Sequence, residues 1–161
     1  MNKILTTKQA ITLSTQLHKQ NQKVVLVGGC FDLLHIGHIT FLEEAKKKGD
    51  ILIVLLESDT SITTAKGENR PINSQDIRAK ILAALSMVDR VILLEPQMSN
   101  TDYDTLVFAI KPAIIATTKG DPRRKEKEYC AQAVGAQVMD VIERQEDAST
   151  THLAKLLQKD I

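Results

Sequence analysis

Two kinds of apolar run alternate along the chain. Lys23–Gly28 (KVVLVG) and Ile51–Leu56 (ILIVLL) are short, continuous and rich in β-branched residues, the pattern of strands covered on both faces. Around them, apolar residues recur at helical spacing. Thr6 or Thr7 caps a first helix with Ala10, Leu13 and Leu17 on one side, ending near Asn21. Gly37–Lys48 reads as a second helix, with Phe41, Leu42 and Ala45 apolar and Lys46 to Lys48 at its cation-tolerant end; Gly49-Asp50 stops it. Ser58–Ile72 carries Gly67, Asn69 and Pro71 and reads as mostly loop. Asn73 or Ser74 then caps a helix to about Met87, with Ile77, Ile81, Leu85 and Val88 on one face. Arg90–Leu94, Ala113–Thr117 and Ala136–Ile142 read as further strands, and Asp102–Lys111 and Pro122–Ala133 as helices between them. Ser149–Gln158 closes the chain as a helix with Leu153, Leu156 and Leu157 inward.

Strands alternating with helices at this spacing imply right-handed crossovers and a parallel sheet covered on both faces. The expected architecture is α/β: one doubly wound, Rossmann-like domain over residues 1–161, with about five strands and an N-terminal helix (1–22) packed on it. Such sheets bind ligands beyond the carboxyl ends of their strands, where strand order reverses. The turn after Gly28 is the first such place.

Composition narrows the function. The chain has 161 residues, 43% hydrophobic and 25% charged, which suits a folded domain and excludes a disordered one. A formal net charge of +1 gives no electrostatic reason for nucleic-acid or membrane binding. Aromatics at 3%, without Trp, speak against a base-stacking platform. Cys30 and Cys130 form neither a disulfide framework nor a zinc pattern, and read as reduced thiols. The start of the chain lacks the apolar stretch of a signal peptide, so a cytoplasmic protein is expected.

The turn reads Gly28-Gly29-Cys30-Phe31-Asp32-Leu33-Leu34-His35-Ile36-Gly37-His38. Two glycines after a buried strand allow close backbone approach to a ligand, and positive φ where needed. The histidines arrive at a helix start, where free N–H groups and the positive end of the dipole favour a phosphate. Gly37 keeps a Cβ out of its path. Asp32, His35 and His38 can also be read as a three-ligand metal set. The helix dipole opposes a cation there and no further Cys or His clusters nearby, so the phosphate reading is preferred. Lys46 to Lys48 and Arg123-Arg124-Lys125 read as solvated faces, the second run with an alternative use in steering anions.

GGCFDLLHIGH resembles the GxFDxxHxGH signature of the cytidylyltransferase-like nucleotidyltransferases. Glycerol-3-phosphate cytidylyltransferase and the heptose-1-phosphate adenylyltransferase domain are among that family. The likeness continues in order along the chain. Ser58-Asp59 is similar to the adenylyltransferase's NSD segment, Lys66–Pro71 (KGENRP) to its KGxxRP loop, and Arg78 to the arginine of the helix that follows. Lys119-Gly120-Asp121 resembles the family's GD element, and Arg144–Thr151 (RQEDASTT) its RTEGISTT segment. Two stretches depart from the pattern. Asp147-Ala148 stands where the family has Gly-Ile, and Pro122-Arg123-Arg124 follows Asp121 without a second glycine or an aromatic residue.

The resemblance implies transfer of a nucleoside monophosphate from a triphosphate to a phosphorylated small molecule, with pyrophosphate released and Mg²⁺ accompanying the nucleotide. His35, His38, Lys66 and Arg70 are the implied catalytic residues. Gly28, Gly29, Cys30, Phe31, Asp32 and Gly37 would contact the nucleotide from the first turn. Gly120, Asp121, Arg144, Ser149, Thr150 and Thr151 would contact it from the second half of the chain. Asp59 and Arg78 are the implied acceptor ligands. CTP and ATP are both open. A sugar phosphate is favoured over a polyol phosphate by the KGENRP loop, and a homodimer is expected. Two alternatives stay beside this reading: a non-catalytic nucleotide-binding module, and adenylyl transfer to a vitamin phosphate such as FMN.

Overall fold

The computed structural model describes residues 2–143. Its strands are β1 (Ile4–Thr6), β2 (Val24–Gly29), β3 (Ile51–Leu56), β4 (Arg90–Leu93), β5 (Ile114–Thr118) and β6 (Gln137–Ile142). Its helices are α1 (Thr7–Lys19), α2 (Ile36–Lys46), α3 (Asp59–Lys66), α4 (Gln75–Ala84), α5 (Asn100–Ile110) and α6 (Arg124–Val134). The strands form one six-stranded sheet in the order β1-β4-β3-β2-β5-β6, and every pairing is parallel.

Side chains alternate faces along each strand, and the core divides accordingly. Val25 and Val27 of β2 pack with Phe41, Leu42 and Leu82 on the face covered by α2 and α4. Val24 and Leu26 pack with Ala10, Leu106 and Val107 on the face covered by α1 and α5. This double covering is why the central strands read as unbroken apolar runs.

Order reverses at β2, which has β3 on one side and β5 on the other. β2 pairs with β3 along its whole length, from Val24↔Ile51 to Gly29↔Leu56. Its pairing with β5 covers Val25↔Ile114 and Leu26↔Ile115 and stops there. Beyond that point the two strands part, opening a crevice at their carboxyl ends.

Three expectations are corrected. The sheet has six strands, not about five: the three residues of β1 pair with β4 at Ile4↔Val91, Leu5↔Ile92 and Thr6↔Leu93 and are too short to announce themselves by periodicity. Thr6 both ends that strand and caps α1, in a reciprocal box with Gln9. The segment after β3 is not mostly loop, because its breakers lie beyond Lys66. Ser58 caps α3 by accepting from Ser61 N at 3.2 Å, and Ile62 is buried in the core. Finally, α4 ends at Ala84 and does not bury Ile77 and Ile81, which are 46% and 40% exposed. It is rotated so that Arg78, Ala79 and Leu82 face inward, a choice set by the hydrogen bonds of Arg78.

Candidate functional site

The turn after β2 holds the site together from within. Phe31, not a glycine, takes the left-handed conformation, with φ 43. Its buried ring packs against His38 at 5.2 Å, and this packing offsets the backbone strain. Gly28 serves close approach: a Cβ there would stand 3.1 Å from the Tyr103 hydroxyl. His35 occupies the N-cap of α2 without a side-chain capping bond among the described residues. Its ring stacks on that of His38 with centroids 3.9 Å apart.

The two imidazoles are held neutral. Burial lowers the pKa of His35, and burial pulls that of His38 down to about 4, with further lowering from His35 and Lys66 and some opposition from the Leu33 backbone. Among the described residues, Nδ1 of each ring and Nη2 of Arg70 are buried without a well-formed hydrogen bond. Unsatisfied buried polar atoms call for an explanation, and for His35 Nδ1 and Arg70 Nη2 an anionic ligand supplies one.

Arg70 belongs to a second layer. Its Nε donates to Asp32 Oδ2 at 2.7 Å, with the Asp32 side chain fully buried. The Asp32 carboxylate also accepts from the backbone N–H groups of Ile72 and Asn73 at 2.9 to 3.0 Å. Asp32, expected among the nucleotide ligands, thus has its carboxylate occupied in fastening the loop after α3 to the turn after β2. From the end of α3, Lys66 Nζ donates to Cys30 Sγ at 3.0 Å.

Arg78 and Asp59, the expected acceptor ligands, pair with each other. Arg78 is fully buried and donates to the carbonyls of Cys30, Glu57 and Asn73 and to Asp59 Oδ1, at 2.5 to 3.0 Å. Both are therefore engaged with the protein and with each other, and Arg78 ties three segments that meet at the carboxyl ends of β2 and β3.

The crevice itself contains two adjoining cavities. One, of about 260 Å³, is bounded by Cys30, Phe31, His35, Gly37 and His38 and, from β5, by Thr117 and Thr118. The other, of about 550 Å³, has Glu57, Asn100, Tyr103, Asp104 and Arg123 on its walls. Gly28, Gly29, Asp121 and Lys127 line both. Gly120, at φ 78, turns the chain so that Asp121 follows β5 directly. Thr117 Oγ1 and Lys127 Nζ each donate to Asp121 Oδ2 at 2.5 Å, and Arg123 N donates to Oδ1 at 2.7 Å. Burial pushes the Asp121 carboxyl up, but these donors outweigh it and leave its pKa below the ordinary value. Burial raises the Tyr103 phenol to about 12, so it enters the larger cavity protonated.

Thr118, Lys127, Glu57, Tyr103 and Arg123 were not among the expected site residues. Lys127 sits in a helix whose charge pattern reads as solvated, and its burial and its contact with Asp121 distinguish it. Arg144, Ser149, Thr150, Thr151 and the Asp147-Ala148 departure lie outside the described residues, as does the expected last helix. Among the described residues no three His, Cys, Asp or Glu side chains cluster as a metal site, and no helix is long and apolar enough to cross a membrane.

The family model described as cytidylyltransferase-like matches residues 26–156, which include the whole crevice. The chain belongs to the cytidylyltransferase-like family of nucleotidyltransferases. Among its relatives, the bifunctional protein HldE of Aliarcobacter butzleri is 39% identical over 159 residues, 97% of this chain and 31% of that protein. HldE of Campylobacter jejuni (strain RM1221) is 45% identical over 103 residues, 64% of this chain and 22% of that protein. The chain thus spans less than a third of the length of these relatives. A lipopolysaccharide core biosynthesis protein from Thermoplasma volcanium superposes with a TM-score of 0.61 at 31% identity, covering 78% of this chain and 99% of that one. Pantothenate synthetase from Thermus thermophilus, at 14% identity and a TM-score of 0.65, shares the fold.

Proposed function

We propose that this cytidylyltransferase-like domain moves a nucleoside monophosphate from ATP or CTP to the phosphate of a phosphorylated, hydroxyl-rich small molecule, of which a sugar phosphate is the first choice. The observation that carries this is the junction of the two cavities at Gly28, Gly29, Asp121 and Lys127, which lets two phosphate-bearing ligands meet at one strand end. The smaller cavity suits the triphosphate: it has the N-terminus of α2, the paired imidazoles and no Cβ at Gly37. The larger one suits the acceptor, since Glu57, Asn100 and Asp104 can accept from sugar hydroxyls while Arg123 faces its charge. HldE relatives support the sugar-phosphate class.

In the reaction an acceptor phosphate oxygen attacks the α-phosphorus. A new P–O bond forms, the bond to the α,β-bridging oxygen breaks, and its electron pair leaves on pyrophosphate. An ionised acceptor needs no general base, so the protein's work is positioning and charge stabilisation. Neutral His38 donates one N–H to an α-phosphate oxygen, His35 and Arg70 Nη2 donate along the triphosphate, and Lys66 neutralises the departing end. Asp121 takes the ribose in this reading. Mg²⁺ accompanying the nucleotide would supply charge neutralisation. The expected homodimer belongs to the same proposal and is measured by sedimentation.

Pyrophosphate release, measured with ATP and with CTP against phosphorylated sugars, polyol phosphates and FMN, tests the proposal. Release with at least one sugar phosphate is expected. Nucleotide binding without release from any acceptor would overturn transfer and leave a binding module, and release with FMN alone would move the acceptor to the vitamin class.

A further inference from the structure

Lys127 has surroundings unlike those of its neighbours on α6. Only 16% of its side chain is exposed, and its Nζ stands 2.5 Å from Asp121 Oδ2 and 3.0 Å from Thr117 Oγ1. On the same helix Arg124 pairs at the surface with Glu128 and Asp140. A lysine drawn this far from water needs close partners, and here they come from the end of β5 and the turn that follows it. Of the described residues that line both cavities, Lys127 is the one that carries positive charge.

That position matters for the chemistry. If the triphosphate fills one cavity and the acceptor the other, the attacking phosphate and the α-phosphate meet at the residues the cavities share. Two anions must approach to about 3 to 3.5 Å there, against their mutual repulsion. A cation with several donor hydrogens at the junction offsets that repulsion.

Resting on the nucleotidyl-transfer reading above, we infer that Lys127 is a catalytic residue whose ammonium bridges the attacking acceptor phosphate and the α-phosphate, while Asp121 and Thr117 hold it in place. Lys127 keeps its proton throughout: the phosphorus–oxygen bond that forms and the one that breaks exchange an electron pair between acceptor oxygen and pyrophosphate, with no proton moved. Thr117 marks the contribution of β5, whose early parting from β2 creates the room for this contact.

The test uses the full chain with Lys127→Met, Lys127→Arg, Asp121→Asn and the double variant Asp121→Asn/Lys127→Met. Pyrophosphate release and calorimetric affinity for the magnesium nucleotide are both measured. Lys127→Met is expected to lower kcat by roughly 10²-fold while nucleotide affinity stays within about fivefold, and Lys127→Arg to recover about tenfold of the loss. In the Asp121→Asn background, Lys127→Met is expected to cost about another tenfold, because its role is not merely to hold Asp121. Turnover by Lys127→Met within roughly threefold of wild type would overturn the inference, as would a double variant no slower than Asp121→Asn. So would loss of nucleotide affinity in Lys127→Met, since the charge is assigned to the transfer step. Absence of turnover in the wild type would instead sink the transfer reading, and the Lys127 assignment with it.

Discussion

Asp32 and Arg70, 38 residues apart in the chain, meet at 2.7 Å with the carboxylate sealed from solvent. Burial alone would raise the Asp32 pKa, yet the N–H groups of Asn73 and Ile72 and the Arg70 guanidinium together bring it below the ordinary value. The pair joins the phosphate-facing turn to the loop that carries Arg70 and begins just after Lys66, two of the proposed phosphate donors.

Asp32→Asn therefore leaves a largely buried guanidinium without its counter-charge. A stability loss of about 3 kcal/mol is expected by chemical denaturation, with turnover down about tenfold as the loop loosens. A variant as stable and active as wild type would show that the ion pair does not organise the site.

Arg78→Met is expected to be more damaging than a loss of charge at the surface would be. Four acceptors, three of them main-chain carbonyls, lose a donor at once. A loss of about 3 to 5 kcal/mol is expected, read as a lowered Tm. Selective loss of acceptor affinity with Tm unchanged would instead make Arg78 a ligand-binding residue.

His38→Gln separates chemistry from stability. Turnover is expected to fall by roughly 10²-fold, with nucleotide affinity reduced far less. Because the ring is already neutral, the wild-type rate should not decline through His38 deprotonation as pH rises from about 6 to about 8. Equal loss of stability and turnover in the variant would assign His38 to the core.

The same depressed pKa fixes a pH dependence of folding. His38 titrates near 4 when folded and near 6.5 when unfolded. The unfolded chain thus binds the proton first as pH falls. His38 is neutral in both states above about 6.5, and the folded state loses ground between there and about 4, by at most about 1.4 kcal/mol per pH unit. Denaturation at about pH 7.5 and about pH 5 should show a steeper fall for wild type than for His38→Gln. Identical slopes would contradict the assignment.

Much of this architecture can be read from periodicity, for a physical reason. Central parallel strands are buried on both faces, so β2 and β3 appear as unbroken apolar runs, and the glycine-rich turn follows one of them directly. The histidines stand out because strand, glycines and helix start coincide in sequence. What escapes is non-local. β1 is defined by its pairing with β4, and α4 is turned by a buried arginine whose partners lie in three other segments, so Ile77 and Ile81 mislead. Lys127 is indistinguishable in sequence from the exposed Lys125 two residues before it. Only the fold brings it to Asp121. Residue type names candidates well when the chemistry is local, and poorly when a charge is recruited across the sheet.

The most direct measurement is the ¹⁵N resonance of the histidine ring nitrogens as magnesium ATP or CTP is added. The account predicts that the His35 and His38 signals, those of neutral rings in the free protein, shift in step with nucleotide binding, while those of His18 stay put. Saturable nucleotide binding that leaves both ring signals unmoved would contradict it.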